Sequence, residues 1–160
     1  MIMKTLVAYF TATGTTGVIA TELAKAINAD AYEIVPVEPY TNDDLNWRDK
    51  SSRSSIEMQD ESSRPAIGGE NIENMDQYDV IFLLAPNWWG IYPHIMNTFL
   101  ESYDFSGKKI VLIGTSGMSG FGKTVDKLKV SAPGADIIEG IMVHSSKFTD
   151  RIKKVAEKYL

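Results

Sequence analysis

The stretch YFTATGTTGVIA, residues 9–20, joins an apolar run to a pattern of helix-forming residues. The apolar run, residues 3–10, predicts a buried strand, and residues 16–28 repeat apolar side chains at helical spacing. The turn between them, residues 11–17, contains four threonines and two glycines. A helix that begins directly after a strand presents free backbone N–H groups and a partial positive charge, so this turn indicates an anion-binding site.

Phosphate is the anion that we expect at this turn. The threonine hydroxyls add hydrogen-bond donors, and Gly14 allows the backbone to approach a ligand closely. Residues 11–17 contain no lysine or arginine, so neutral dipoles would hold the charge. The alternative is a helix start capped by threonine, which is a fair N-cap residue, although four threonines are more than a cap requires.

The length and composition favour one domain, which we expect to cover residues 1–160. The net charge of −5 argues against a nucleic-acid partner, because such proteins present a basic face to phosphate. No stretch approaches the roughly 18 apolar residues of a membrane span, and the first ten residues lack a signal-peptide pattern. We therefore expect a cytoplasmic protein with no membrane partner.

The sequence contains no cysteine, which excludes disulfides, thiolate catalysis and cysteine-ligated metals. Its two histidines, His94 and His144, are few for a metal centre, and we expect them at a helix start or a strand end. The loops contain no evident catalytic acid, base or nucleophile. We predict no metal site and no catalytic residue.

Five apolar runs alternate with helical patterns along the chain. The runs cover residues 3–10, 31–37, 79–86, 109–116 and 136–144, and the helical patterns cover residues 16–28, 93–103, 122–130 and 148–159. This alternation predicts parallel βαβ units, and hence an α/β three-layer sandwich around a five-stranded parallel sheet.

Residues 38–77 break this rhythm with a long polar segment. A short helix is expected near residues 42–47 or 52–60, and no full amphipathic helix is evident. Long loops in compact domains are often functional. Because Tyr40, Trp47 and Ile56 are spread along this segment, we expect it to lie on the body of the protein.

The second loop of interest is PNWWGIYP, residues 86–93, at the end of a predicted strand. Adjacent tryptophans in a turn rarely point the same way, so we expect one to pack inward. The other, with Tyr92 nearby, would expose a flat aromatic face at the strand ends. The alternative is that this face packs against residues 38–77.

The third loop is GTSGMSGFGKT, residues 114–124, and it follows another predicted strand. Residues 117–124 match G-x-x-x-x-G-K-[ST], the phosphate loop of nucleoside triphosphatases. Those enzymes also need a strand-end carboxylate for Mg²⁺, and no later apolar strand ends in one. We interpret the loop as a glycine-rich edge whose backbone approaches a flat ligand.

The three loops converge, because the carboxyl ends of parallel strands meet at one edge of the sheet, where ligands bind. A phosphate site and an aromatic platform at one edge suit a mononucleotide of flavin type. The chain resembles the flavodoxins over nearly its whole length, through TATGTT, PNWWGIYP and NTFLESYDFSGKKIVLIGTSGMSG. The resemblance implies FMN as the cofactor and the strand order 2-1-3-4-5.

The resemblance also implies the residues that hold FMN. The phosphate would be bound by Thr11, Ala12, Thr13, Gly14, Thr15 and Thr16. The ring would be bordered by Trp88 or Trp89, with Trp89 favoured, and by Pro86, Asn87 and Gly90. The pyrimidine edge or far face would meet Thr115, Ser116, Gly117, Ser119 and Gly120. A loop that rearranges on reduction needs a positive φ, for which Gly90 is the candidate and Asn87 the alternative.

The chain departs from the family pattern at two places. Where flavodoxins often have a tyrosine over the second ring face, the loop after the fourth strand offers Met118 and Phe121. Residues 38–77 also stand where a regular crossover helix is usual.

Two functions remain open. An electron carrier of low potential would exchange electrons with a donor reductase and an acceptor protein, as a monomer. An NAD(P)H-dependent quinone or flavin reductase would instead need a pocket over the ring, built by residues 38–77 with Tyr40 and Trp47, and such enzymes are usually dimers.

Overall fold

A computed structural model describes residues 4–117 and 119–160, so Met3 of the first predicted strand and Met118 lie outside the described residues. The strands are β1 (Lys4–Tyr9), β2 (Asp30–Glu33), β3 (Tyr78–Pro86), β4 (Lys109–Thr115) and β5 (Asp136–Val143). The helices are α1 (Thr15–Ala26), α2 (Arg53–Gln59), α3 (Ile95–Glu101), α4 (Thr124–Lys129) and α5 (Asp150–Glu157), with a 3₁₀ turn at Met75–Gln77.

The five strands form one parallel sheet in the order β2-β1-β3-β4-β5. This order confirms the predicted α/β sandwich and the order implied by the family resemblance. The central strands β1, β3 and β4 are buried along most of their length, because helices cover both faces of the sheet. Their sequences are nearly continuously apolar because side chains on both faces of these strands are buried.

Each face of the sheet carries its own core. On one face α1 and α5 contribute Ile19, Ala20, Leu23, Ala24, Ile152 and Ala156, which pack on Val7, Phe82, Leu84, Val111 and Ile113. On the other face α3 and α4 contribute Ile95, Met96, Phe99, Leu100 and Leu128, which pack on Leu6, Ile81, Leu83, Ile110 and Leu112. The strands therefore alternate their side chains between two apolar layers.

The second strand is shorter than the predicted residues 31–37. It ends at Glu33, after which Ile34 still donates its N–H to Tyr9 at 2.7 Å. Pro36 then pairs in an isolated antiparallel bridge with Ile67. Since proline has no N–H to donate, the chain leaves the sheet at this point and starts the long crossover.

The crossover, residues 38–77, contains α2, which confirms the short helix predicted near residues 52–60. Residues 42–47 instead form hydrogen-bonded turns. The segment lies on the body, as expected, because Tyr40, Ile67 and Ile72 pack against the core. Trp47 and Ile56 do not contribute to this contact in the same way, since they are 64% and 56% exposed. Within the described part of the chain, no helix is both long and apolar enough to cross a membrane.

Candidate functional site

A cleft of about 1030 Å³ opens at the carboxyl edge of the sheet. It brings together the predicted site residues Ala12, Thr13, Thr15, Pro86, Asn87, Trp88, Trp89, Thr115, Ser116, Gly117 and Ser119. The predicted residues Thr11, Gly14, Thr16, Gly90 and Gly120 do not line it. The volume lies at the upper end of the range for small-molecule sites, roughly 300–1,000 Å³.

The turn between β1 and α1 presents an open helix start to this cleft. Gly14 is the N-cap residue of α1, and within the described residues no side chain caps the helix. The Thr11 hydroxyl accepts a hydrogen bond from the Gly14 N–H at 3.0 Å and so holds the turn itself. The first turn of α1 contains no acidic residue. The turn can therefore accept an anion, with Thr13 and Thr15 beside it.

Thr16 serves the fold rather than the cleft. It is buried, and its hydroxyl shares a hydrogen bond of 2.9 Å with the hydroxyl of Thr115 at the end of β4. This contact ties the start of α1 to a neighbouring strand end. Of the four threonines in this turn, Thr11 and Thr16 stabilise the local fold, and Thr13 and Thr15 line the cleft.

Residues 88–91 form a tight hairpin-like turn after β3. Trp88 and Ile91 exchange backbone hydrogen bonds of 2.8 and 3.2 Å, and the two residues between them have positive φ, +52° at Trp89 and +82° at Gly90. These features are those of a type I′ turn, which normally has Asn-Gly at its centre. Gly90 takes the positive φ expected of it, and Asn87 does not.

The two tryptophans point apart, as expected. The Trp88 ring packs inward with its centroid 5.4 Å from Tyr40 and 5.8 Å from Phe10. Trp89 is 51% exposed on the cleft, in a left-handed conformation that a bulky residue rarely adopts. The expectation that Tyr92 lies near the exposed face is wrong. Tyr92 is buried, and its hydroxyl donates to the carbonyl of Leu83 at 2.8 Å.

The loop after β4 is tied to this turn by side chains and by close backbone approach. The Asn87 amide nitrogen donates to the Ser119 hydroxyl, which also shares a 2.7 Å hydrogen bond with Ser116. A Cβ on Gly122 would overlap the carbonyl oxygen of Gly90, so only glycine fits there. The two loops therefore form one continuous rim.

The phosphate-loop motif of residues 117–124 does not have the geometry of a triphosphatase. Thr124, whose hydroxyl would bind Mg²⁺ in such an enzyme, is buried and donates to the carbonyl of Phe121 at 2.6 Å. Phe121 is itself buried, with its ring centroid 6.4 Å from that of Tyr92, so it is not placed to cover a ligand in the cleft. Met118, the other candidate for that role, lies outside the described residues.

The cleft has two further walls that the sequence analysis did not assign to it. After β5 the residues Val143, His144, Ser145 and Ser146 line it, and the crossover contributes Leu45, Trp47 and Ser54. The wall after β5 had a signal in the sequence, because the fifth apolar run also ends at this edge and is followed by hydroxyl residues. The crossover wall had no such signal. Only Trp47 was considered for it, as part of the pocket that a reductase would need.

The histidines lie where the sequence predicts them. His144 directly follows β5, and its Nδ1 is 3.2 Å from the carbonyl oxygen of Ser116. His94 precedes α3 as its N-cap residue, and its Nδ1 shares a 2.7 Å hydrogen bond with Ser63. Burial, and then the nearby Arg64 guanidinium, hold the pKa of His94 below its usual value.

Two polar atoms in the cleft lack a partner within residues 4–117 and 119–160. They are the hydroxyl of Ser54 and the side-chain carbonyl oxygen of Asn87, and both are buried. Buried polar atoms are normally hydrogen-bonded, so a ligand with both donors and acceptors fits this surface. A flavin nucleotide has both, on its ring edge and sugar chain, and carries a phosphate for the open start of α1.

Comparison with known proteins agrees with this geometry. The sequence profile of the family described as Flavodoxin matches residues 4–159. The structure is similar to a candidate flavoprotein from Bacteroides eggerthii, with 41% identity, a TM-score of 0.88 and 98% of each chain covered. It is equally similar to a candidate flavoprotein from Bacteroides uniformis, with 41% identity, a TM-score of 0.89 and coverage of 97% of this chain and 98% of the other.

A more distant similarity is to a flavoprotein from Lactobacillus acidophilus in complex with FMN. The identity is 23%, the TM-score is 0.67, and the match covers 88% of this chain and 93% of the other. At this identity the likeness concerns the fold alone. No curated protein gives a significant match.

Proposed function

The chain belongs to the flavodoxin family, and we propose that it binds FMN and transfers electrons at low potential. One observation carries the proposal. A single cleft joins the open helix start of α1, with Thr13 and Thr15 beside it, to the exposed indole of Trp89. A phosphate site and an aromatic platform in one cleft suit a ligand with a terminal phosphate and a flat ring.

Each part of the cleft has a distinct task in this proposal. Thr13 and Thr15 donate hydrogen bonds to the phosphate together with the N–H groups of α1. Trp89 covers the ring and excludes water from that face. Asn87, whose side-chain oxygen is buried without a partner among the described residues, accepts a hydrogen bond from the ring edge. FMN, when bound, supplies reversible one- and two-electron chemistry.

We propose separate redox proteins as the donor and the acceptor. The net charge of −5 favours association with basic surfaces, and Trp89 offers an exposed apolar contact at the cleft. A cytoplasmic location, a single domain and a monomeric state stay predictions.

A reductase is the second candidate, and the position of Trp47 favours it. This residue is 64% exposed and lines the cleft from the crossover, where a reductase would need a wall for its substrate. In that case the protein would itself oxidise NAD(P)H and reduce a quinone or a free flavin.

The first experiment is isolation of the protein with its bound cofactor. We expect a yellow protein that releases one FMN per chain on acid treatment, identified by chromatography against FMN, FAD and riboflavin standards. Release of FAD, or reconstitution of the apoprotein with FAD in preference to FMN, would contradict the proposal, because the α1 turn suits a terminal monophosphate.

A second experiment separates the carrier from the reductase. Purified protein with FMN is mixed with NADH or NADPH and a quinone, with and without a separate flavodoxin reductase. Reduction that depends on the added reductase supports the carrier, whereas steady NAD(P)H consumption by the protein alone supports the reductase.

A further inference from the structure

The crossover wall of the cleft, residues 41–59, contains a buried hydroxyl that the fold does not use. Ser54 is 2% exposed and lines the cleft, and its hydroxyl has no partner within the described residues. An unpartnered buried hydroxyl is unfavourable, since it has lost its water without gaining another hydrogen bond. A ligand with an acceptor oxygen in the cleft would restore that hydrogen bond.

The two neighbouring serines show that the local fold satisfies its own hydroxyls. The Ser52 hydroxyl donates to the Ser55 hydroxyl at 2.9 Å, and the Ser55 hydroxyl in turn donates to the carbonyl of Asp49 at 2.8 Å. Ser52, Ser54 and Ser55 are all buried. Ser54 is therefore as buried as the other two serines, but its hydroxyl alone lacks a hydrogen-bond partner among the described residues.

The backbone around Ser54 is held in place, so the residue keeps its position in the wall of the cleft. The Ser54 N–H donates to the carbonyl of Asp44 at 3.0 Å. In the preceding residue, the Arg53 guanidinium lies 3.8 Å from the centre of the Tyr40 ring and pairs with Glu57 at 2.9 Å. Tyr40 packs in turn on Trp88. The crossover wall is thereby attached to the tryptophan turn.

We infer that Ser54 donates a hydrogen bond to bound flavin mononucleotide, so that the crossover contributes to the flavin site through this residue. The inference rests on the proposed function, because it takes FMN as the ligand. The acceptor is an oxygen of the phosphate, of the ribityl chain or of the ring. All three sources offer the same chemistry to a serine hydroxyl.

The test uses Ser54→Ala, with Ser55→Ala as the matched control from the same turn. Flavin is removed from each full-length protein, and the apoprotein is titrated with FMN, riboflavin and lumiflavin while flavin fluorescence is followed. The thermal midpoint of each apoprotein is measured in parallel.

Ser54→Ala should leave the thermal midpoint of the apoprotein unchanged or raise it, because it removes an unpartnered buried hydroxyl. The same variant should bind FMN about five- to tenfold more weakly, the effect of one lost hydrogen bond. Ser55→Ala should do the reverse, with a lower midpoint and an FMN affinity within about twofold of wild type. This opposition between stability and affinity is not expected of a residue with a structural role alone.

The three flavins locate the acceptor. A loss confined to FMN places it on the phosphate, a loss with FMN and riboflavin places it on the ribityl chain, and a loss with all three places it on the ring. Unchanged FMN affinity in Ser54→Ala, or a parallel fall in affinity and midpoint as in a structural variant, would overturn the inference. A wild-type apoprotein that does not bind FMN would instead overturn the proposed function itself.

Discussion

The two sides of the cleft are held by different interactions. On the strand-end side, loops continue directly from β1, β3 and β4, and backbone contacts such as the 2.8 Å bond from the Asn87 N–H to the Thr115 carbonyl fix their spacing. On the crossover side, one short helix and a set of turns are attached mainly through side chains. Single side-chain substitutions on the strand-end side should therefore lower stability little. On the crossover side, substitution of one of the few anchoring residues should lower it more.

The crossover wall, residues 41–59, is anchored by residues just before it and just after it. At one end Tyr40 packs on Phe10 and donates its hydroxyl to Glu57 at 2.5 Å, and burial, followed by this carboxylate, raises the pKa of Tyr40 far above its usual value. At the other end Ser63 bonds His94, and Arg64 pairs with Glu101 at 3.0 Å. The predictions below test these anchors against the strand-end side.

The largest effect on stability is expected for Tyr40→Ala. The change removes the ring contacts with Phe10 and Trp88 and should lower the free energy of unfolding by about 2–3 kcal/mol, measured by urea denaturation. Tyr40→Phe keeps the ring and should cost only about 1 kcal/mol, because Glu57 retains its ion pair with Arg53. Equal losses in both variants would mean that the hydroxyl, and not the ring, anchors the crossover.

On the strand-end side, Thr13→Ala should weaken FMN binding about ten- to a hundredfold, since a hydrogen bond to a charged group is worth roughly 1.5–3 kcal/mol. Riboflavin, which lacks the phosphate, should bind as it does to wild type. Thr16→Ala is the control: it should lower stability by about 1 kcal/mol, because the Thr115 hydroxyl loses its partner. Equal weakening of both flavins by Thr13→Ala would remove Thr13 from the phosphate site.

Trp89→Asn should stabilise the protein and impair its function. Asparagine tolerates a left-handed backbone better than tryptophan, so the free energy of unfolding of the apoprotein should rise by about 1 kcal/mol. FMN affinity should fall, because the exposed indole of the cleft is lost. Trp88→Phe, on the inward-packed neighbour, should instead lower stability. If Trp89→Asn does not raise the free energy of unfolding, the backbone at Trp89 is not strained.

His94 should make stability depend on pH. Burial and Arg64 lower its pKa, and Glu57 and Asp60 oppose them, so the unfolded chain takes up a proton at higher pH than the folded protein does. The stabilisation is complete above the unfolded pKa of about 6.5 and is lost as the pH falls towards the folded pKa, with a slope below about 1.4 kcal/mol per pH unit. Urea denaturation at pH 7.5 to 5 should show a shallower slope in His94→Gln. Identical slopes would contradict this role.

Lys123→Ala should have the smallest effect. The side chain is exposed and does not line the cleft, so FMN affinity should be unchanged and stability should stay within about 0.5 kcal/mol of wild type. Thr124→Ala, which removes a buried hydroxyl bond to Phe121, should lower stability clearly. A loss of FMN binding in Lys123→Ala would revive the phosphate-loop interpretation of residues 117–124.

The difference between the two sides also explains which features the sequence could predict. The strand-end loops follow apolar runs whose periodicity is visible, and parallel strands must bring their carboxyl ends to one edge. Thr13, Asn87 and Ser116 can therefore be assigned to one cleft from the amino-acid sequence alone. The sequence could not reveal that the hydroxyls of Thr11 and Thr16 form hydrogen bonds within the protein, to the Gly14 N–H and the Thr115 hydroxyl.

The crossover residues show the opposite case. The sequence predicts that residues 38–77 lie on the body, and Tyr40 packs there. It does not predict that Trp47 and Ile56 are exposed while Ser52, Ser54 and Ser55 are buried. No periodic pattern signals such an arrangement, because each turn is set by local hydrogen bonds and by distant partners such as Trp88. Ser54 had no signal at all beside its neighbours Ser52 and Ser55.

The sequence by itself determined the layered architecture, the strand order implied by its family resemblance and the edge of the sheet at which the cleft opens. The layers follow from hydrophobic periodicity, and the edge follows because parallel strands bring their carboxyl ends together. Only the tertiary structure decided which tryptophan is exposed at the cleft, which threonines line the cleft and which crossover residues form its wall. Those outcomes depend on packing between residues far apart in sequence, as where Tyr40 holds Trp88 inward and leaves Trp89 exposed.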